Sequence, residues 1–292
     1  MLCFEWRSRG ADGTVGPVLT LNGWTVTPST TLVAGDGGTM SYRDRPGPTD
    51  DAAVVLLLHG LGATSGLQFT PTLHQLSEEF RVLATDMRAS RQRGSGLLTS
   101  VAADALAVLD ATGVERCIVV GYSIGGLVAR HLAALAPERV TGIVLAATAD
   151  PPYLPRLRRP LALGAGAAAL VPGPWPRGSE ATVLRFLAGE LGRLTPGVMV
   201  GAVQHALAER APSPADLPAP MAFVVTTRDR VVPVAWQRRL AATRPEAPVL
   251  EVAAGHAASG LEADRFGPVL RRACQLTQLN GCDRNDATNQ LR

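Results

Sequence analysis

Short apolar runs and longer stretches of helical spacing alternate along most of the chain. Val54 to Leu58 is an unbroken apolar run, the pattern required of a strand buried on both faces. Phe80 to Ala84, Arg116 to Val120, Val140 to Ala147, Met221 to Thr226 and Pro248 to Ala253 read as further short strands. Between these runs, Ser100 to Ala111, Ile124 to Ala136, Val234 to Ala242 and Leu261 to Leu276 place apolar residues at helical spacing. Strands alternating with helices predict parallel βαβ units. The fold class expected is therefore α/β, with a mostly parallel, doubly wound sheet covered by helices on both faces.

The rhythm fails in three places. Residues 1–36 are rich in Gly, Thr and Pro and form an N-terminal extension, either a loose segment or an early edge strand. Thr39 to Arg43 then alternates as a strand before Pro46-Gly47-Pro48 breaks it. Residues 150–220 carry frequent Pro and Gly between amphipathic pieces such as Thr182 to Leu191 and Val198 to Glu209. This stretch is expected to be a helical cap inserted into a core made of residues 37–149 and 221–279. The polar tail, 280–292, is expected to fray.

Composition narrows the function classes. The 292 residues are 46% hydrophobic and 18% charged, a globular balance that excludes a disordered chain. A formal charge of +3 gives no support to nucleic-acid binding. All 28 basic residues are Arg, which excludes lysine Schiff-base chemistry and the phosphate-binding loop that needs Gly-Lys-Ser/Thr. Cys3, Cys117, Cys274 and Cys282 form no CxxC pair and no cluster with histidine; Cys117 reads as a buried thiol, and Cys274 with Cys282 as a pair open to oxidation. No apolar signal region opens the sequence, and the longest apolar stretch, Leu161 to Pro172, is too short to span a bilayer. The expectation is a soluble, cytoplasmic protein without stable membrane insertion, and no metal or organic cofactor.

The sharpest chemical signal is Gly121-Tyr122-Ser123-Ile124-Gly125-Gly126, which fits Gly-x-Ser-x-Gly between a predicted strand and a predicted helix. A sharp strand-to-helix turn forces the serine into a strained backbone region and projects it above the sheet at a helix N-terminus. A serine hydroxyl needs a neighbouring base. Of five histidines, His256 in Ala254-Gly255-His256-Ala257 follows the last predicted strand, where a loop delivers it to the sheet edge that binds ligands in open α/β sheets. His74 and His131 fall in predicted helices, His205 lies in the cap, and His59 braces a turn. The base in turn needs a carboxylate. Asp229 follows the strand Met221 to Thr226 directly, and Asp150 is its rival. Two backbone donors must face the oxyanion: the N–H of Ile124, next to the nucleophile, and the N–H of Leu61 in the turn His59-Gly60-Leu61-Gly62.

From Gly37 to Leu276 the chain resembles the α/β-hydrolase superfamily, on the strength of these stretches: His59-Gly60, Asp86 with Arg88 to Gly96, the Gly121-to-Gly126 elbow, Arg228-Asp229 with Val232-Pro233, and Gly255-His256. They are similar to the esterase and lipase-like branches, in which a cap covers an acyl pocket. The resemblance implies a serine hydrolase acting through an acyl-enzyme on a small hydrophobic ester or related acyl substrate. One departure is that Asp86-Met87-Arg88 continues as Ala89-Ser90-Arg91-Gln92-Arg93-Gly94, without the compact Asp-x-Arg-Gly-x-Gly turn often found there. An acyltransferase using the same triad and a non-catalytic binding protein on the same fold remain open alternatives.

Overall fold

The computed structural model describes residues 20–21, 24–25, 27–33, 39–61, 63–87, 97–150 and 209–289. Most of the expected cap, His205, Gly62, the Arg88-to-Gly94 loop and most of the N-terminal extension lie outside these residues.

The described strands are β1 (Thr20–Leu21), β2 (Trp24–Thr25), β3 (Ser29–Val33), β4 (Thr39–Arg45), β5 (Val54–Leu58), β6 (Arg81–Thr85), β7 (Cys117–Tyr122), β8 (Val140–Ala146), β9 (Met221–Thr226) and β10 (Val249–Val252). β1 and β2 pair with each other, and the remaining eight form one sheet in the order β10-β9-β8-β7-β5-β6-β4-β3. From β10 to β6 all neighbours are parallel, while β4 runs antiparallel to β6 and β3 antiparallel to β4. The helices are α1 (Ser65–Leu76), α2 (Leu97–Ala111), α3 (Gly125–Leu135), α4 (Val234–Ala241), α5 (Ala258–Leu261) and α6 (Ala263–Asn289).

The period-2 geometry of strands splits the core in two. Leu56 and Leu58 of β5, Val119 of β7 and Leu145 of β8 point to one face, where they meet Leu98 and Leu109 of α2, Leu127 and Leu132 of α3 and Leu240 of α4. Val55, Leu57, Val120 and Val144 point to the other and meet Phe69 and Leu73 of α1 and Phe266 and Leu270 of α6. Both faces are buried, which is why these strands are predominantly apolar. Each fully buried Leu or Phe contributes about 1.5–3 kcal/mol through removal from water. The mostly parallel, doubly wound α/β architecture expected from the sequence is the one found.

Differences lie at limits and ends and in α1, a helix for which the apolar pattern gave no bounds. β3 shows that part of the early segment is an edge strand; none of its side chains is fully buried, which explains its weak apolar pattern. α6 continues to Asn289, past the boundary at 279 drawn from polarity, because a helix already nucleated on the core extends at little cost per residue. Cys117 and Cys274 are buried thiols, and burial pushes both upward in pKa, Cys117 to about 12. Among the described residues no helix is long and apolar enough to cross a membrane.

Candidate active site

The parallel strands deliver their C-terminal ends to one edge of the sheet, and the chemically distinctive residues follow those ends. His59 and Gly60 follow β5, Asp86 follows β6, Ser123 follows β7, Asp229 lies just beyond β9 and His256 just beyond β10. Ser123 is one of two non-glycine residues described with positive φ, at 55°. Such a conformation costs roughly 1–2 kcal/mol for an L-residue and persists only where neighbours hold it. Here Ser123 N–H donates to Ala146 O at 3.0 Å, and Ser123 O accepts from Thr148 Oγ1 at 2.6 Å and from Gly126 N–H at 3.0 Å. The second positive-φ residue, Ala147 at 50°, turns the chain just ahead of Thr148, the residue that supplies that hydroxyl.

Two glycines of the elbow are required by close approach. A Cβ on Gly121 would collide with Gly125 O and Gly126 Cα, and one on Gly125 with Leu58 O and His59 O. The first turn of α3 is thereby pressed against the end of β5.

The three side chains singled out from the sequence are brought into hydrogen-bonding order. Ser123 Oγ lies 3.0 Å from His256 Nε2, and His256 Nδ1 lies 2.7 Å from Asp229 Oδ2. Asp229 is further held by Val231 N–H and Val232 N–H on Oδ1, at 2.8 and 2.9 Å, and by Thr226 Oγ1 and Gln237 Nε2 on Oδ2, at 2.8 and 3.2 Å. Burial would raise its carboxyl, but the hydrogen bond and charge of His256, the Val232 N–H and the Thr226 hydroxyl outweigh it and hold the pKa below the ordinary carboxylate value. The rival, Asp150, is instead ion-paired with Arg130 at 2.7 Å. His74 and His131 sit in α1 and α3, beside Arg45 and Thr99 respectively.

The turn after β5 lies against the serine: a Cβ built on Gly60 would sit 3.3 Å from Ser123 Cβ. His59 fixes its orientation. Met87 N–H donates to His59 Nε2 at 2.9 Å, so that nitrogen carries no proton and Nδ1–H donates to Gly60 O at 2.7 Å. A trans peptide points its C=O and N–H in opposite directions, so fixing Gly60 O also aims the N–H of Leu61. Gly60 N–H is taken by Gln68 Oε1 at 2.7 Å. The N–H groups of Leu61 and Ile124 have no acceptor among the described residues.

Three supporting residues escaped sequence reasoning. Gln68 on α1 anchors the turn, and Gln237 on α4 with Thr226 at the end of β9 completes the shell around Asp229. A glutamine within a helix carries no signal of its own. The only available clue was that Gln237 stands eight residues after Asp229, just beyond the Val232-Pro233 stretch.

Known proteins place this fold in a family. The family profile described as the alpha/beta hydrolase fold matches residues 53–166. RutD of Azorhizobium caulinodans, a protein named as a carbamate hydrolase, is 31% identical over 245 residues, covering 75% of this chain and 90% of its own length. Among solved structures, the enol-lactonase of Burkholderia xenovorans LB400 superposes with a TM-score of 0.63 at 24% identity, covering 82% of this chain and 98% of its own. A thermophilic esterase of Thermogutta terrifontis superposes with a TM-score of 0.65 at 20% identity, covering 86% and 99%. The chain belongs to the α/β-hydrolase superfamily.

Proposed function

We propose that the chain is a serine hydrolase that cleaves a carboxylic ester, or a related acyl bond such as a carbamate or lactone, in a small hydrophobic substrate. The observation that carries this is the continuous relay from Ser123 Oγ to His256 Nε2 and from His256 Nδ1 to Asp229 Oδ2, at 3.0 and 2.7 Å.

Ser123 Oγ attacks the carbonyl carbon while its proton passes to His256 Nε2. The tetrahedral oxyanion is held by the N–H groups of Leu61 and Ile124; one such donor contributes about 3 kcal/mol to lowering the barrier. The bond to the leaving group breaks, the proton on Nε2 goes to the departing oxygen or nitrogen, and an acyl-Ser123 ester remains. Water, deprotonated by His256, cleaves that ester and restores the serine. Asp229 stays ionised, keeps the proton on Nδ1 and stabilises the imidazolium. The residues 150–220 form the cap in this reading, and their Ala, Leu and Gly content suits an apolar acyl or alcohol group.

A chain-length series of p-nitrophenyl esters, with aryl carbamates and lactones alongside, tests both class and substrate. Hydrolysis by the wild type and a loss of roughly 10⁴- to 10⁶-fold in kcat for Ser123→Ala are expected. Equal activity in the variant would end the proposed mechanism. Adding an alcohol acceptor separates hydrolysis from acyl transfer, because only transfer yields a new ester.

A further inference from the structure

The residue preceding the serine has a role that neither the elbow motif nor the relay accounts for. Tyr122 ends β7 and is only 2% exposed. Its ring is wedged between Phe69 of α1 and Phe266 of α6, edge to face, with centroids 6.4 and 5.5 Å away. Its hydroxyl donates to the backbone carbonyl of His256 at 2.7 Å, and its ring centroid lies 5.7 Å from the His256 imidazole. Burial, with the Asp229 charge adding to it, pushes the phenol well above its ordinary pKa, so the group remains a donor.

His256 needs such an anchor. It sits on a loop beyond β10, and the ring is oriented through Nδ1 by Asp229. That bond orients the ring without fixing the main chain that carries it. The main chain before His256 is tied by Gly255 N–H to Glu262 Oε1 at 2.8 Å, by Arg228 N–H to Ala254 O at 3.0 Å and by Ala258 N–H to Gly255 O at 3.2 Å, while the carbonyl of His256 itself is held by the Tyr122 hydroxyl. Tyr122 therefore links both reacting groups: its backbone continues into Ser123, and its side chain holds the carbonyl of residue 256. A proton-transfer distance near 3 Å tolerates little drift, since small misplacements of reacting groups lower rates by orders of magnitude.

We propose that Tyr122 is a positioning residue that sets the separation between Ser123 and His256 by bonding the main chain of the base. This rests on the roles assigned to Ser123 and His256 above. Tyr122→Phe deletes the hydroxyl and keeps the ring contacts. Its expected effect is a 10- to 100-fold fall in kcat on a p-nitrophenyl ester with KM within about twofold of wild type. Without substrate, the low-field proton resonance of the His256 Nδ1–H bonded to Asp229 should broaden as the loop loosens. Phe69→Leu loosens the ring's packing without touching the hydroxyl; it should lower Tm while kcat stays within about threefold. Glu262→Ala removes the acceptor of the loop's Gly255 tie and should also lower kcat, giving a second route if Tyr122→Phe folds poorly. Wild-type kcat in Tyr122→Phe with an unchanged proton resonance would overturn the proposal. So would an unchanged kcat in Glu262→Ala, or a kcat loss in Phe69→Leu equal to that in Tyr122→Phe. A wild type inactive on every ester would count against the hydrolase reading alone, because the resonance reports on the loop without turnover.

Discussion

At the scale of single residues, the carboxylate of Asp229 shows how much of a reactive group's behaviour is set by its neighbours. Five donors converge on its two oxygens, so it remains charged although its side chain is fully buried. Asp229→Asn keeps the shape but leaves the Nδ1 of His256 facing an amide, and an expected loss of about 10⁴-fold in kcat follows from the wrong tautomer. The same group also links stability to pH. Its folded pKa lies below the ordinary value, so its contribution is fully present above that value, about 3.9, and is lost as pH falls through the lowered folded one. Urea unfolding should therefore show wild type more stable than Asp229→Asn at neutral pH, with the gap closing as pH drops below about 4. Ser123, Asp229 and His256 were legible in the sequence because each follows a strand and the serine carries a glycine signature. Gln68, Gln237 and the anchoring role of Tyr122 were not, because each depends on which helix or loop folds back over which strand end.

At the scale of elements, the junction between β7 and α3 is pressed backbone to backbone against the end of β5. Gly125 lies so close to the carbonyls that end β5 that any Cβ there would collide with Leu58 O. Alanine is a better helix former than glycine by about 1 kcal/mol, so propensity alone would make Gly125→Ala stabilising. The clash is with backbone, which cannot swing aside, and the sign reverses: a loss of more than about 2 kcal/mol is expected in chemical unfolding. A stabilised variant would show that α3 can move off β5. The strands of the core could be read from the sequence because burial on both faces leaves short, mostly apolar runs. α1 could not be delimited in the same way. Pro71 and the threonines at 70 and 72 weaken its pattern, and what fixes it is tertiary: the Thr64 cap on Leu67 N–H, the Asp86 carboxylate on Ser65 N–H, and the burial of Phe69, Leu73 and Leu76.

At the scale of the molecule, the sheet turns five separated stretches of chain into one edge. The alternation of strand and helix implies parallel neighbours but not their order, and the order matters here. β5 lies between β6 and β7, which puts the turn at Gly60 beside Ser123, while β9 and β10 lie together and bring Asp229 to His256. The stems of the 150–220 stretch are tied to the same framework. Buried Arg130 of α3, seven residues after the serine, bonds Asp150 on one side and the carbonyls of Ala211 and Pro212 on the other. All of this converges on one claim, that Ser123 is made nucleophilic by His256. Treating the folded protein with a fluorophosphonate and mapping the adduct by mass spectrometry tests it most directly. One adduct per chain is expected on Ser123, and its formation should slow by at least a hundredfold in His256→Ala. An unlabelled serine in folded protein, or labelling that proceeds equally well without the histidine, would contradict the claim.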